Sequence, residues 1–409
     1  MDSGNYNNYY TQQSESYNQN VYNMFGGYNP ILDKKAHNIL RLGMYAGGAC
    51  LAYVLLQNVA VILLSALGLL DSYRNDAVMQ NCLNIMFHVF CLLLPFFIVY
   101  LKSSDEDKRS ILAFDKPKDM KLSGLAVLAG LAACLSSNLI ANLILAVFRV
   151  TGVQFSSGAE SNPPASGLLG AFTAILSYAV IPALVEEFAF RGVVLQPLRK
   201  YGDKFAILVS SAIFAFMHGN MVQAPVAFIS GLALGYFCIA TGSIWTSVAI
   251  HFANNLVSAC ISLYYDNSSN PNEFIVSVAV IAVVAIGVAA YLTFRRLNTG
   301  KLIKINSAFK DRLKASIYLC CPTVVLSIAY SVYSTLLLQT TKSVIGAMLL
   351  VALIVAITVI IVKRINVIKS DMRFNVGSIF FASKIFIVIA AIALSFMTLT
   401  LFLFGGAVN

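Results

Sequence analysis

Charge is scarce in this chain. Only 11% of its 409 residues are Asp, Glu, Lys or Arg and 58% are hydrophobic, where an ordinary soluble domain is roughly a quarter charged. That excludes a soluble enzyme and implies a polytopic membrane protein. Paired cysteine spacing is lacking as well. The eight cysteines (Cys50, Cys82, Cys91, Cys134, Cys238, Cys260, Cys320 and Cys321) fall in apolar runs, without the spacing that zinc or a secreted disulfide scaffold requires, and read as small core residues. The N-terminal residues lack the basic start and apolar stretch of a cleavable signal peptide, and Asp2 breaks the myristoylation pattern. No HExxH zinc motif occurs.

What is present is a succession of apolar runs, each long enough to cross about 30 Å of hydrocarbon as a helix. Spans are expected near 43–70, 80–101, 121–148, 168–197, 204–219, 223–241, 243–265, 274–294, 315–338, 343–362 and 378–404. The fold class is therefore all-α, a polytopic integral membrane helical bundle of about eleven transmembrane helices. It divides into a cytoplasmic, largely disordered tail rich in Asn, Tyr and Gln (1–42), two helices with a basic loop (43–120), a helical core (121–295) and a three-helix extension (296–409).

The net charge of +10 does not imply a nucleic-acid partner, because Lys and Arg concentrate in alternate loops, as the positive-inside rule demands. Lys34, Lys35 and Arg41 lie on one side with Lys108, Arg109, Arg199, Lys200, Arg295, Arg296, Lys310 and Arg364, whereas the other side holds Arg74, Arg149 and Lys342. The expected orientation has the N terminus cytoplasmic and the C terminus outside, with the plasma membrane as the expected location.

Against this apolar background, Glu186, Glu187 and Arg191 sit within one span. Each charge near the bilayer centre costs roughly 2.5–3.5 kcal/mol on insertion scales, so the three together read as a functional site. Glu187 and Arg191 are four apart and share a helix face, so they can pair; Glu186 points about 100° away and is left to face a cavity. The hairpin of the fourth and fifth spans turns near Gly202, which places Glu186 and His218 sixteen residues to either side. Both then lie roughly 24 Å from the turn and can meet. His251 and Asn255 are four apart on the seventh span, and Phe214 precedes His218 by four, where its ring can pack on the imidazole. Pro182 should kink the fourth span and free the carbonyl near Tyr178, opening room for water. His88, without similar company in the second span, reads as a satisfied bundle histidine.

A carboxylate, two histidines and an asparagine inside a bundle suggest hydrolysis. Glu and His can hold and deprotonate a water, and His and Asn can donate to the oxyanion of a tetrahedral intermediate. A metal centre holding zinc or another divalent cation is the alternative.

These residues resemble the motifs of the CPBP family of intramembrane proteases, related to CAAX prenyl protease 2 and to bacteriocin-processing and immunity (Abi) proteins. The EExxxR motif appears as Glu186-Glu187-Phe188-Ala189-Phe190-Arg191, FxxxH as Phe214 to His218, and HxxxN as His251 to Asn255. The resemblance covers about residues 120–265. It implies an intramembrane endopeptidase in which Glu186 and His218 activate water, His251 and Asn255 form the oxyanion site, and Glu187 with Arg191 holds the arrangement. The family has been labelled metalloprotease, but the analogous eukaryotic enzyme is described as glutamate-dependent, and no cofactor is the favoured expectation. The expected partner is a membrane-associated protein or peptide, whether a prenylated CAAX substrate, a leader peptide or an anchored regulator. Competing expectations are a non-catalytic membrane scaffold or immunity protein, and a proton-coupled transporter. The transporter should show internal repeats, yet the Glu-Glu and His motifs have no second copy.

Overall fold

A computed structural model of the chain describes residues 30–112, 116–155, 163–298 and 311–337, together with 339–341, 359 and 362–363. The long helices are α1 (Pro30–Ala66), α2 (Ala77–Lys102), α3 (Met120–Val150), α4 (Gly167–Tyr201), α5 (Asp203–Met217), α6 (Ala224–Thr241), α7 (Ile244–Asn267), α8 (Glu273–Leu297) and α9 (Pro322–Leu337). A two-stranded antiparallel ladder pairs β1 (Val153–Phe155) with β2 (Gln339–Thr341). The protein is a polytopic helical membrane protein.

Local chemistry sets the helix boundaries. Side chains of Asp76, Asp119, Ser243 and Asn272 accept backbone N–H groups at the starts of α2, α3, α7 and α8, satisfying donors that have no partner within the helix. Gly202 turns the chain from α4 into α5 with φ 123°, a conformation that side-chain-bearing residues rarely adopt.

Seven of the described helices are long and apolar enough to cross a membrane, namely α1 to α4 and α6 to α8. The expected count of eleven is not reached among the described residues. Of the other four runs, α5 has 15 residues and α9 has 16, and 343–362 and 378–404 lie outside the described residues but for 359 and 362. The helix α1 also starts earlier than the expected boundary at 43. It has 37 residues, roughly 55 Å of helix, and Ala36, Ile39 and Leu40 are buried in the core. Residues 30–42 are therefore helix rather than tail, and 1–29 lie outside the described residues.

One core cluster joins α1, α2, α4 and α5 through residues such as Ile39, Phe96, Phe190, Leu195, Phe205 and Phe214, and it also takes in Ile317, Tyr318 and Val324 of the C-terminal extension. The extension thus packs on α1 as part of the core. Thr323 donates to the carbonyls of Gly43 and Met44, and Ser327 to that of Gly47. A second cluster gathers Ala126, Ala129 and Cys134 of α3 with Leu234, Phe237, Ile250 and Phe294 of α6, α7 and α8. Large apolar side chains such as Leu139, Val147 and Ile281 face outward, as lipid contact requires.

At Gly287 the backbones of α8 and α3 approach so closely that a Cβ would collide with the Ala132 side chain and the Leu128 carbonyl. Small residues permit such approach between membrane helices. Gly287→Val should therefore destabilise the protein by about 1–3 kcal/mol through overpacking, measured as a lower midpoint of thermal unfolding in detergent. An unchanged midpoint would contradict the close packing.

Candidate active site

The site is built on a helix that departs from α geometry twice. Within α4, Leu176–Val180 and Glu187–Leu195 are π-helical and flank the short α segment Ile181–Glu186, with Pro182 near its start. Such wider turns occur frequently at functional sites because they re-aim side chains that a regular helix would stack.

Glu187 and Arg191 form the buried half. Their exposures are 0% and 1%, and Arg191 Nη1 donates to Glu187 Oε1 at 2.9 Å. The same oxygen lies 2.9 Å from His251 Nδ1. Since a carboxylate accepts only, His251 donates from Nδ1 and directs Nε2 the other way. Arg191 Nη2 donates to the carbonyl of Gly231, and its guanidinium lies 4.6 Å from the centroid of the Phe214 ring. Phe214 in turn meets His218 edge-on at 4.9 Å and His251 at 5.9 Å. The expected packing of Phe214 against His218 is present, and the ring spans both imidazoles and the arginine.

Glu186 lies on the other side of the helix. It borders a cavity of about 580 Å³ inside the bundle, shared with His218, His251, Asn255, Tyr178 and His88. His251 Nε2 stands 3.8 Å from Glu186 Oε2. His218, at the C-terminal end of α5, donates from Nδ1 to the Phe214 carbonyl at 2.9 Å, leaving Nε2 as the lone-pair atom of the neutral ring. Side chains from α4, α5 and α7 therefore border one cavity.

Asn255 is held in an unexpected way. Its Nδ2 donates to the carbonyl of Tyr178 at 3.0 Å, the acceptor that Pro182, four residues on, has no N–H to engage. The carbonyl expected to make room for water instead fixes the asparagine amide, which keeps one further N–H donor. Asn254 donates to Asn255 Oδ1, which defines the orientation of that amide.

His88 corrects a sequence expectation. It is not an isolated bundle histidine, because its Nε2 lies 3.5 Å from Glu186 Oε1 and its ring borders the same cavity. The signal was in the sequence: Asn81, Asn84 and His88, spaced three and four apart, form a polar stripe on α2. Asn81 donates to Thr173 of α4, and the Asn84 carbonyl accepts from His88 Nδ1. Tyr53 and Gln57 of α1, hydrogen-bonded to each other at 2.8 Å, also reach the cavity and were not singled out by pattern.

Among the described residues, no three His, Cys, Asp or Glu side chains are grouped so that they could hold a metal ion.

Fold and site together define a class, a polytopic helical membrane protein with ionisable side chains around a cavity within the bundle. Residues 168–257 match the family model described as Rce1-like, type II CAAX prenyl endopeptidase. The match covers 90 of the 409 residues and makes that segment similar to this family. It contains Glu186, Glu187, Arg191, Phe214, His218, His251 and Asn255, and excludes His88 and all of α1 to α3. No curated protein and no solved structure gave a significant match.

Proposed function

We propose that the protein hydrolyses a peptide bond of a membrane-associated substrate, with Glu186 and His218 activating water and His251 and Asn255 stabilising the oxyanion. The observation that carries this reading is the convergence of Glu186, His218, His251 and Asn255, from three helices, on one cavity. Glu186 is the general base: a proton leaves the water as its oxygen attacks the scissile carbonyl, and the developing negative charge falls on the carbonyl oxygen. His218, oriented through Nδ1, presents Nε2 to the same water. Asn255, pinned to Tyr178, offers its second N–H to the oxyanion. Glu187 and Arg191 orient His251 without touching the reacting atoms.

Contacts between connecting segments support an even alternation of sides along the chain. Asp107 pairs with Lys200, and Lys314 donates to the Tyr201 carbonyl, joining segments all assigned to the cytoplasmic side. Asn267 donates to Ala165 and β1 pairs with β2, joining segments assigned outside. Together with the basic loops, this favours a cytoplasmic N terminus and counts α5 as a crossing.

The substrate class favoured is a lipidated or leader-bearing peptide that enters from the bilayer. The test uses purified protein in lipid nanodiscs with two internally quenched peptides, one ending in a farnesylated CAAX sequence and one carrying an unlipidated leader. Cleavage of either is expected and should persist after stringent chelation. Activity lost on chelation and restored by zinc would instead assign a metal, and failure to cleave either peptide would favour the scaffold or immunity alternative.

A further inference from the structure

We propose that His88, on α2 and outside the family-matched segment, is a positioning residue for Glu186, holding the carboxylate as an imidazolium counter-ion. The assignment rests on the endopeptidase reading for its catalytic meaning, but on geometry for its existence. His88 Nδ1 lies 2.9 Å from the Asn84 carbonyl, which can only accept, so Nδ1 carries a proton. Its other nitrogen faces Glu186 Oε1 at 3.5 Å, and a carboxylate oxygen is again an acceptor. A ring flanked by two acceptors is satisfied only when both nitrogens carry protons, which makes it a cation.

Local pairing favours the same. The fixed charges of the site are Glu186, Glu187 and Arg191, and Arg191 is committed to Glu187 at 2.9 Å. Among the described residues no Lys or Arg lies within ion-pair distance of Glu186, and an unpaired carboxylate in a helical bundle is costly. Each packed element contributes a candidate partner. Tyr53 of α1 and His218 of α5 border the cavity, and His251 of α7 lies 3.8 Å from Glu186 Oε2. His251 Nδ1 already donates to Glu187 and its Nε2 is assigned to the oxyanion, whereas His88 Nε2 faces Glu186 Oε1 at 3.5 Å. A second observation comes from the backbone. His88 sits in the π-helical turn Phe87–Leu93 of α2, and Glu186 immediately precedes the π-helical stretch of α4, so both partners stand at local distortions that re-aim side chains.

The helices outside the matched segment therefore do more than embed it, since α2 supplies the group that keeps the base ionised and aimed. In this account His88 does not touch the water and acts through Glu186.

Three proteins in nanodiscs, wild type, His88→Ala and His88→Gln, test this by two readouts. The first is cleavage of the quenched farnesylated peptide. For His88→Ala kcat should fall about tenfold to a hundredfold with KM nearly unchanged, as expected for loss of a hydrogen bond to a charged group, and His88→Gln, which keeps an N–H donor, should recover part of the loss. The second needs no turnover. Dicyclohexylcarbodiimide labels protonated carboxyls in apolar surroundings, and Glu186 of His88→Ala should be labelled about tenfold faster than in wild type, read by mass spectrometry. Equal labelling in all three proteins would overturn the proposal. Faster labelling in His88→Ala with no cleavage by wild type would retain the counter-ion and refute the endopeptidase reading.

Discussion

Glu186→Gln is expected to lower peptide hydrolysis by about a hundredfold to ten-thousandfold, the range contributed by a positioned general base. The substitution removes the basic oxygen and changes side-chain volume little. The buried network of Glu187, Arg191 and His251 is untouched by it, since their mutual contacts of 2.9 Å do not include Glu186. The variant should therefore purify like wild type and unfold at a similar temperature. Hydrolysis at the wild-type rate would remove Glu186 from the chemistry, and a misfolded variant would mean that it serves the structure instead.

Arg191→Met should have the largest effect on stability. Arg191 and Glu187 are 1% and 0% exposed, and removing one partner leaves a buried carboxylate whose remaining hydrogen-bond partner is His251. Breaking a buried pair in this way costs about 3–5 kcal/mol. The double variant Glu187→Gln with Arg191→Met carries no orphan charge and should regain much of the lost stability. Its activity should remain low, because His251 has then lost the carboxylate that orients it. Thermal unfolding in detergent and peptide cleavage, measured on wild type and both variants, separate these effects. A double variant as unstable as Arg191→Met alone would show that shape rather than charge pairing is what the site requires.

The parts of the site that were legible share one cause: polar groups are conspicuous in a chain with 11% charged residues. The pairing of Glu187 with Arg191 followed from four-residue spacing, and the shared cavity of Glu186 and His218 from their equal distance to the Gly202 turn. The Glu187–Arg191 pairing survives the π-helical stretch Glu187–Leu195, because groups four apart remain neighbours when the turn widens. The departures themselves were not legible, since apolar periodicity is read on the assumption of a regular helix.

His88 illustrates a different limit. Its partner Glu186 lies on another helix, and the rotation of α2 against α4 is set by packing that one helix does not reveal. The carbonyl freed by Pro182 was legible, but its acceptance of Asn255 depends on where α7 docks. The early start of α1 went unread because Lys34, Lys35 and Arg41 gave it the look of a tail, although the buried Ala36, Ile39 and Leu40 repeat at helical spacing. Depositing charge near the end of a long helix is compatible with burial where that end projects beyond the hydrocarbon.

Whether these side chains form a water-activating pocket that cuts peptide bonds within the membrane is a question of substrate and products. Comparative mass spectrometry of membrane peptides from cells producing either wild type or Glu186→Gln addresses it most directly, because it demands catalysis and finds the substrate together. Discrete peptides with new termini are expected in wild-type membranes and missing from the variant, with their uncut precursors accumulating there. Identical peptide profiles at equal protein levels would contradict that expectation.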